Sequence, residues 1–120
     1  MSADILSAAD GASSGAREAW RHLATAPLPP GWTRELCANG FIEHDLRFRR
    51  GTDWMFSAVL NDGWVLWYAR RPSIRAGLIN PVQMLSAFPA ARRKDEGEVK
   101  LRLHDAEEAA ALLAFCLART

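Results

Sequence analysis

Two apolar runs rich in aromatic and β-branched side chains, residues 54–60 and 64–69, meet at Asn61-Asp62-Gly63. Such a junction predicts a β-hairpin, because glycine readily takes the positive φ that a two-residue turn asks for. With Asp62 and Gly63 as the loop, Leu60 faces Val65, Ala58 faces Trp67 and Phe56 faces Ala69, while Met55, Val59, Leu66 and Tyr68 point to the other side. Both faces are then apolar. A hairpin of this kind belongs inside a sheet covered by helices or by a partner, since a solvated face would alternate with polar residues.

Before the hairpin, residues 1–14 mix Ser, Ala, Gly and Asp around Ile5-Leu6 and read as a flexible arm, leaving 15–120 as a single domain. Ala16, Ala19, Trp20, Leu23 and Ala24 recur at helical spacing opposite Arg17, Glu18 and Arg21, and that helix must stop at Pro27. The stretch 27–31, Pro-Leu-Pro-Pro-Gly, is an extended connector. A strand over 32–38 and a turn at Asn39-Gly40 follow. In the next strand Ile42, His44, Leu46 and Phe48 alternate with Glu43, Asp45, Arg47 and Arg49, the mark of one buried and one charged face. A tight turn over 50–53 leads into the hairpin, so four strands form an antiparallel meander.

After it, Pro72 breaks the run and residues 74–79 make an irregular return. Asn80-Pro81-Val82-Gln83 starts a short helix, with Asn80 as cap, Pro81 in the first position and Gln83 placed to reach back. Pro81, Met84, Leu85 and Phe88 share its apolar side. Residues 90–97 read as an exposed charged loop, and Val99, Leu101 and Leu103 alternate with polar residues as a fifth strand. Asp105 caps a last helix, with Glu108 completing the box and Ala109, Leu112, Leu113 and Cys116 on one stripe. The expected fold is α+β: a sheet of about five strands packed against an N-terminal helix, a short helix and a long C-terminal helix.

Composition changes this picture little. A chain of 120 residues, 49% hydrophobic and 24% charged, is an ordinary globular domain, long enough to fold without staples. Cys37 and Cys116 stand far apart and outside any zinc spacing, so both read as small core hydrophobes and no metal or other cofactor is implied. With no disulfide framework, signal peptide or apolar run near the ~20 residues of a membrane span, a cytoplasmic location without membrane contact is expected.

Charge is more informative. The net of +1 hides a central segment, 47–94, that carries nine Arg and Lys against Asp53 and Asp62, between two acidic flanks. Arginine outnumbers lysine thirteen to two, which a GC-rich, bacterial-like coding sequence explains; it does not explain the clustering. Strand order brings Arg49, Arg50, Arg70, Arg71 and Arg75 to one rim of the sheet, with Arg47 nearby and the loop bases Arg92, Arg93 and Lys94 available to join them. Such a rim can hold an acidic partner or neutralise phosphates, with Trp54 free to stack on a base. Ser73, in the run Arg70-Arg71-Pro72-Ser73, has a basophilic phosphorylation context.

Five tryptophans are the third feature. Trp54, Trp64, Trp67 and Tyr68 on the hairpin, with Leu113 and Leu117 on the last helix, are candidate anchors of a protein interface, because tryptophan so often carries binding energy. Catalysis has less support: His44-Asp45 and His104-Asp105 are neighbours on strands and so point to opposite faces, and no nucleophile elbow, phosphate loop or metal motif is present. No catalytic residue is assigned. The order helix, four strands, short helix, strand, long helix is similar to that of small dimeric secretion chaperones, a resemblance that implies binding of extended partner segments. The expected function is a non-enzymatic, self-associating protein-binding module with an arginine rim for an acidic partner. Nucleic-acid binding through Arg49, Arg50, Arg70, Arg71 and the 92–94 bases is the alternative.

Overall fold

A computed structural model describes residues 3–39, 42–94 and 97–120. Gly40 of the expected Asn39-Gly40 turn, Asp95, Glu96 and the side chains of Ile42 and Glu43 lie outside the described residues. Residues 3–14, the expected arm, carry α1 (Ala3–Ser7) and reach the body of the domain: Trp20 Nε1 donates to the Ile5 carbonyl, and Ala9 is buried. Ser13 caps α2 (Ser14–Thr25) by accepting from Ala16 N at 3.2 Å, and the five apolar positions of the expected stripe are the buried ones.

The sheet has six strands: β1 (Trp32–Asn39), β2 (Ile42–Arg50), β3 (Asp53–Leu60), β4 (Val65–Ala69), β5 (Arg92–Lys94) and β6 (Glu98–Leu103), in the order β1-β2-β3-β4-β6-β5. Every pairing is antiparallel. The first four strands are the expected meander, and the hairpin register is the expected one: Leu60 opposite Val65, Ala58 opposite Trp67, Phe56 opposite Ala69. β5 is the strand that the charged 90–97 segment was not expected to supply.

Three local expectations are corrected. Gly63 does not have a positive φ. Its turn is closed by Asn61 N donating to Trp64 O at 2.9 Å and held from outside by Ser13 N, which donates to Asp62 O at 2.7 Å. Residues 71–75, read as a break, form α3 (Arg71–Arg75), because a proline in the first turn costs no hydrogen bond. Met55 does not share a face with Val59 and Tyr68. The β2–β3 register passes from Phe48 opposite Phe56 to Arg49 opposite Trp54, so Met55 is an extra residue, a β-bulge, and turns into the core with 2% of its surface exposed.

α4 (Pro81–Ala87) starts as expected, with Asn80 Oδ1 accepting from Val82 N and Gln83 N. Gln83 does not reach back; its Oε1 accepts from Arg119 at 2.7 Å, fastening the end of the chain to α4. α5 (Ala106–Leu117) buries Ala109, Leu112, Leu113 and Cys116, packs on α2, and with it covers one face of the sheet. Between helices and sheet runs an aromatic stack: Trp32 lies parallel to Phe56 with centroids 5.7 Å apart, and Phe56 and Phe48 each sit 5.2 Å from Trp67. Trp67 is wholly buried there. No helix of the described residues is long and apolar enough to cross a membrane.

Candidate binding face

The sheet face turned away from α2 and α5 is built by strand register. Antiparallel partners share a face, so the row Glu35, Arg47, Ser57, Tyr68, Lys100, Arg92 crosses the whole sheet on this side. The row beside it is Cys37, Asp45, Val59, Leu66, Arg102. Cations, carboxylates and aromatic or aliphatic groups are therefore mixed across one surface.

The bulge at Met55 shapes one end of it. By moving Trp54 off the core side, it delivers the indole to this face, where Nε1 donates to Ser57 Oγ at 2.9 Å and to Phe56 O at 3.1 Å. The Arg47 guanidinium lies 3.9 Å and that of Arg70 3.6 Å from the ring centroid. Two groups this close over one ring must occupy its opposite faces. Trp54 is thus filled on both sides and offers no surface for a base. Arg70 Nη1 also donates to Trp54 O at 2.6 Å. Burial holds the Arg70 guanidinium below its usual range; Glu98 and Asp45 oppose that shift, while Arg47 and Arg49 add to it.

Carboxylates are interleaved at this end. Asp45, expected on a solvated face, is 3% exposed; its Oδ2 accepts from Arg47 Nε at 3.1 Å and its Oδ1 has no hydrogen-bond partner among the described residues. Arg49 pairs with Glu35 at 3.3 Å. The expected rim of five arginines is divided: Arg49 and Arg70 join Arg47 on this face, Arg50 has the parity of Phe48 and faces the helix side, and Arg71 and Arg75 belong to α3.

The other end is different. Lys94 lies 5.4 Å from the Tyr68 ring and Arg102 4.3 Å from the Trp64 ring. A groove of about 500 Å³ runs there along β4 and β6, lined by Trp64, Leu66, Ala90, Arg92, Lys100 and Arg102 among others, and none of the described residues lining it is a carboxylate. Arg92 Nη1 donates to Pro89 O and Ala91 O, which fixes the wall of the groove. Lys100 and Arg102 were not among the candidate site residues. Their alternation with Val99, Leu101 and Leu103 was visible, but the pairing of β6 with β4 that sets them beside Trp64 and Tyr68 is not written locally.

No family model, curated protein or solved structure matches this chain. The site therefore rests on its own chemistry. Of the expected interface anchors, Trp54, Trp64 and Tyr68 are half-buried on the outward face, whereas Trp67 is fully buried and Leu113 3% exposed in the chain's own core. Leu117 packs partly against that core. Ser73 is fully buried, its Oγ donating to Arg70 O at 2.6 Å, out of reach of a kinase in the folded chain.

His104 is bonded through Nδ1 to Glu108 Oε1 at 3.0 Å, and Asp105 is used as the α5 cap. Among the described residues no group of three or more His, Cys, Asp and Glu is arranged to hold a metal ion. Burial raises the thiols of both Cys37 and Cys116, which keeps them protonated and weakly nucleophilic at neutral pH.

Proposed function

We propose that this protein is a binding module, not an enzyme, and that it holds an acidic segment of a partner protein on the outward face of its sheet. The observation that carries the reading is the groove along β4 and β6, where Arg92, Lys100 and Arg102 surround Trp64 and Leu66 with no carboxylate among the described lining residues. Guanidinium and ammonium groups over an aromatic floor suit a ligand that brings both carboxylates and apolar surface. The apolar face that a homodimer would draw on is covered within one chain by α2 and α5. A second copy of the chain, like any other partner, would meet the outward face, where Trp54, Trp64 and Tyr68 are half-buried. The two unpaired cysteines fit a reducing, cytoplasmic setting.

Nucleic acid is the second reading, favoured by Tyr68 and Trp64 standing among cations. It is weakened by Glu35 and Glu98 on the same face, which a strand spanning the sheet would bring against its phosphates, and by the closure of Trp54 on both sides. Titration of labelled ten-residue probes, followed by fluorescence anisotropy, separates the two. A Glu-rich peptide should bind, a Lys-rich counterpart should not, and Lys100→Glu with Arg102→Glu should weaken binding at least about tenfold, the equivalent of ~1.4 kcal/mol. Tight binding of a single-stranded oligonucleotide that collapses with salt, without binding of the acidic peptide, would overturn the reading in favour of the second.

A further inference from the structure

β5 stops short of the end of its partner. Its first residue, Arg92, stands opposite Lys100, so Leu101, Arg102 and Leu103 are paired with β4, and among the described residues no strand lies along their outer edge. Two grooves meet at this notch. The cationic one lies on the outward face; a second, of about 520 Å³, lies on the helix side between α4, β6 and α5, and both are lined by Ala90, Leu101, Arg102 and His104. The second is floored by Ala87, Phe88, Leu103 and Ala111 and bordered at one end by Asp105, Glu107 and Glu108. Its apolar floor and its acidic border set it apart from the first.

We propose that an extended acidic segment crosses the sheet edge at this notch, placing a carboxylate beside Lys100 and Arg102 and the next inward-facing apolar side chain in the groove between Phe88 and Ala111. Extended chain turns successive side chains to opposite sides, which matches a cationic groove on one side of the edge and an apolar groove on the other. Charge sets the direction: the carboxylates at the start of α5 repel an acid placed on the helix side and confine it to the outward face.

This proposal rests on the acidic-segment reading, and its test keeps the two apart. The probes are two ten-residue peptides, one alternating Glu with Leu and one alternating Glu with Ser. Wild-type protein should prefer the first by about tenfold or more, the gain expected from burying one leucine. Ala111→Trp fills the helix-side groove from an exposed position on α5. It should abolish the preference while leaving the Glu/Ser peptide bound as before, and Ala90→Trp, at the notch, should weaken the Glu/Leu peptide by a similar factor. Circular dichroism on both variants checks that the fold is kept. Equal affinity of wild-type protein for the two peptides, or an undiminished preference in both tryptophan variants, would overturn the crossing while leaving the acidic-segment reading standing. Failure of both peptides to bind wild-type protein would remove that reading and this proposal with it.

Discussion

Gly15, in the first turn of α2, packs so closely on the carbonyl oxygen of His104 at the end of β6 that a Cβ there would fall far inside contact distance. The obstacle is backbone, which cannot swing aside as a side chain can. Gly15→Ala should therefore cost about 1–3 kcal/mol, the usual range for overpacking a tight contact, measured by urea denaturation. Gly63→Ala is the matched control. A Cβ at Gly63 meets nothing within 4 Å and its φ is not positive, so its stability should stay within about 0.5 kcal/mol of wild type.

The two hairpin tryptophans are expected to separate stability from binding. Trp67 is fully buried between Phe48 and Phe56, and Trp67→Ala should cost about 3–5 kcal/mol. Trp64 lies under Arg102 on the outward face and is half-buried, so Trp64→Ala should change stability by about 1 kcal/mol or less and instead reduce affinity for the acidic probe. A Trp64 variant as unstable as the Trp67 variant would place both residues in the folding core and take Trp64 out of the site.

Most of the frame was legible because several levels of the sequence agree. In the hairpin, the two aromatic and β-branched runs and the Asn61-Asp62-Gly63 junction point to one register, and that register is found. α2 shows an apolar stripe and α5 an apolar stripe with a capping residue, and both stripes are buried as expected. Where the signal fails, it fails for identifiable reasons. Arg92, Arg93 and Lys94 have no apolar alternation and are all exposed; they become a strand only through pairing with β6. One bulged residue, Met55, turns its neighbour Trp54 onto the outward face between two arginines, which preclude the stacking role its place near the rim suggests. The groove was missed because it depends on β6 lying beside β4, a long-range pairing with no local mark.

The cap of α5 differs from the expected box in one detail that can be measured. Asp105 accepts from Glu108 N at 2.8 Å, but Glu108 Oε1 bonds His104 N and His104 Nδ1, one residue earlier than a reciprocal box would place it. Asp105→Ala should lower stability by about 1 kcal/mol through loss of the cap. Because α5 packs against α2, the loss should register in global thermal unfolding and not only as fraying of the first turn. Unchanged melting with faster amide exchange confined to 106–109 would show that the cap acts locally.

The pH dependence follows from Cys116. Burial pushes its thiol well above the ordinary value of 9.0, with the neighbouring Trp67 indole working weakly the other way. Below about pH 8 the thiol is protonated in folded and unfolded chains alike and contributes nothing to the slope. Above pH 9 the unfolded chain releases a proton that the folded chain keeps. Stability must then fall as pH rises, by at most about 1.4 kcal/mol per unit for one group. Cys116→Ala removes this term, at the constant cost of a small cavity. The stability gap between wild type and variant, read from urea denaturation in reducing buffer, should thus be constant from pH 6 to about pH 8 and shrink above about pH 9. A gap that stays constant to pH 10.5 would mean that the thiol reaches solvent in the folded state and that the packing of α5 on the sheet is looser than its buried stripe indicates.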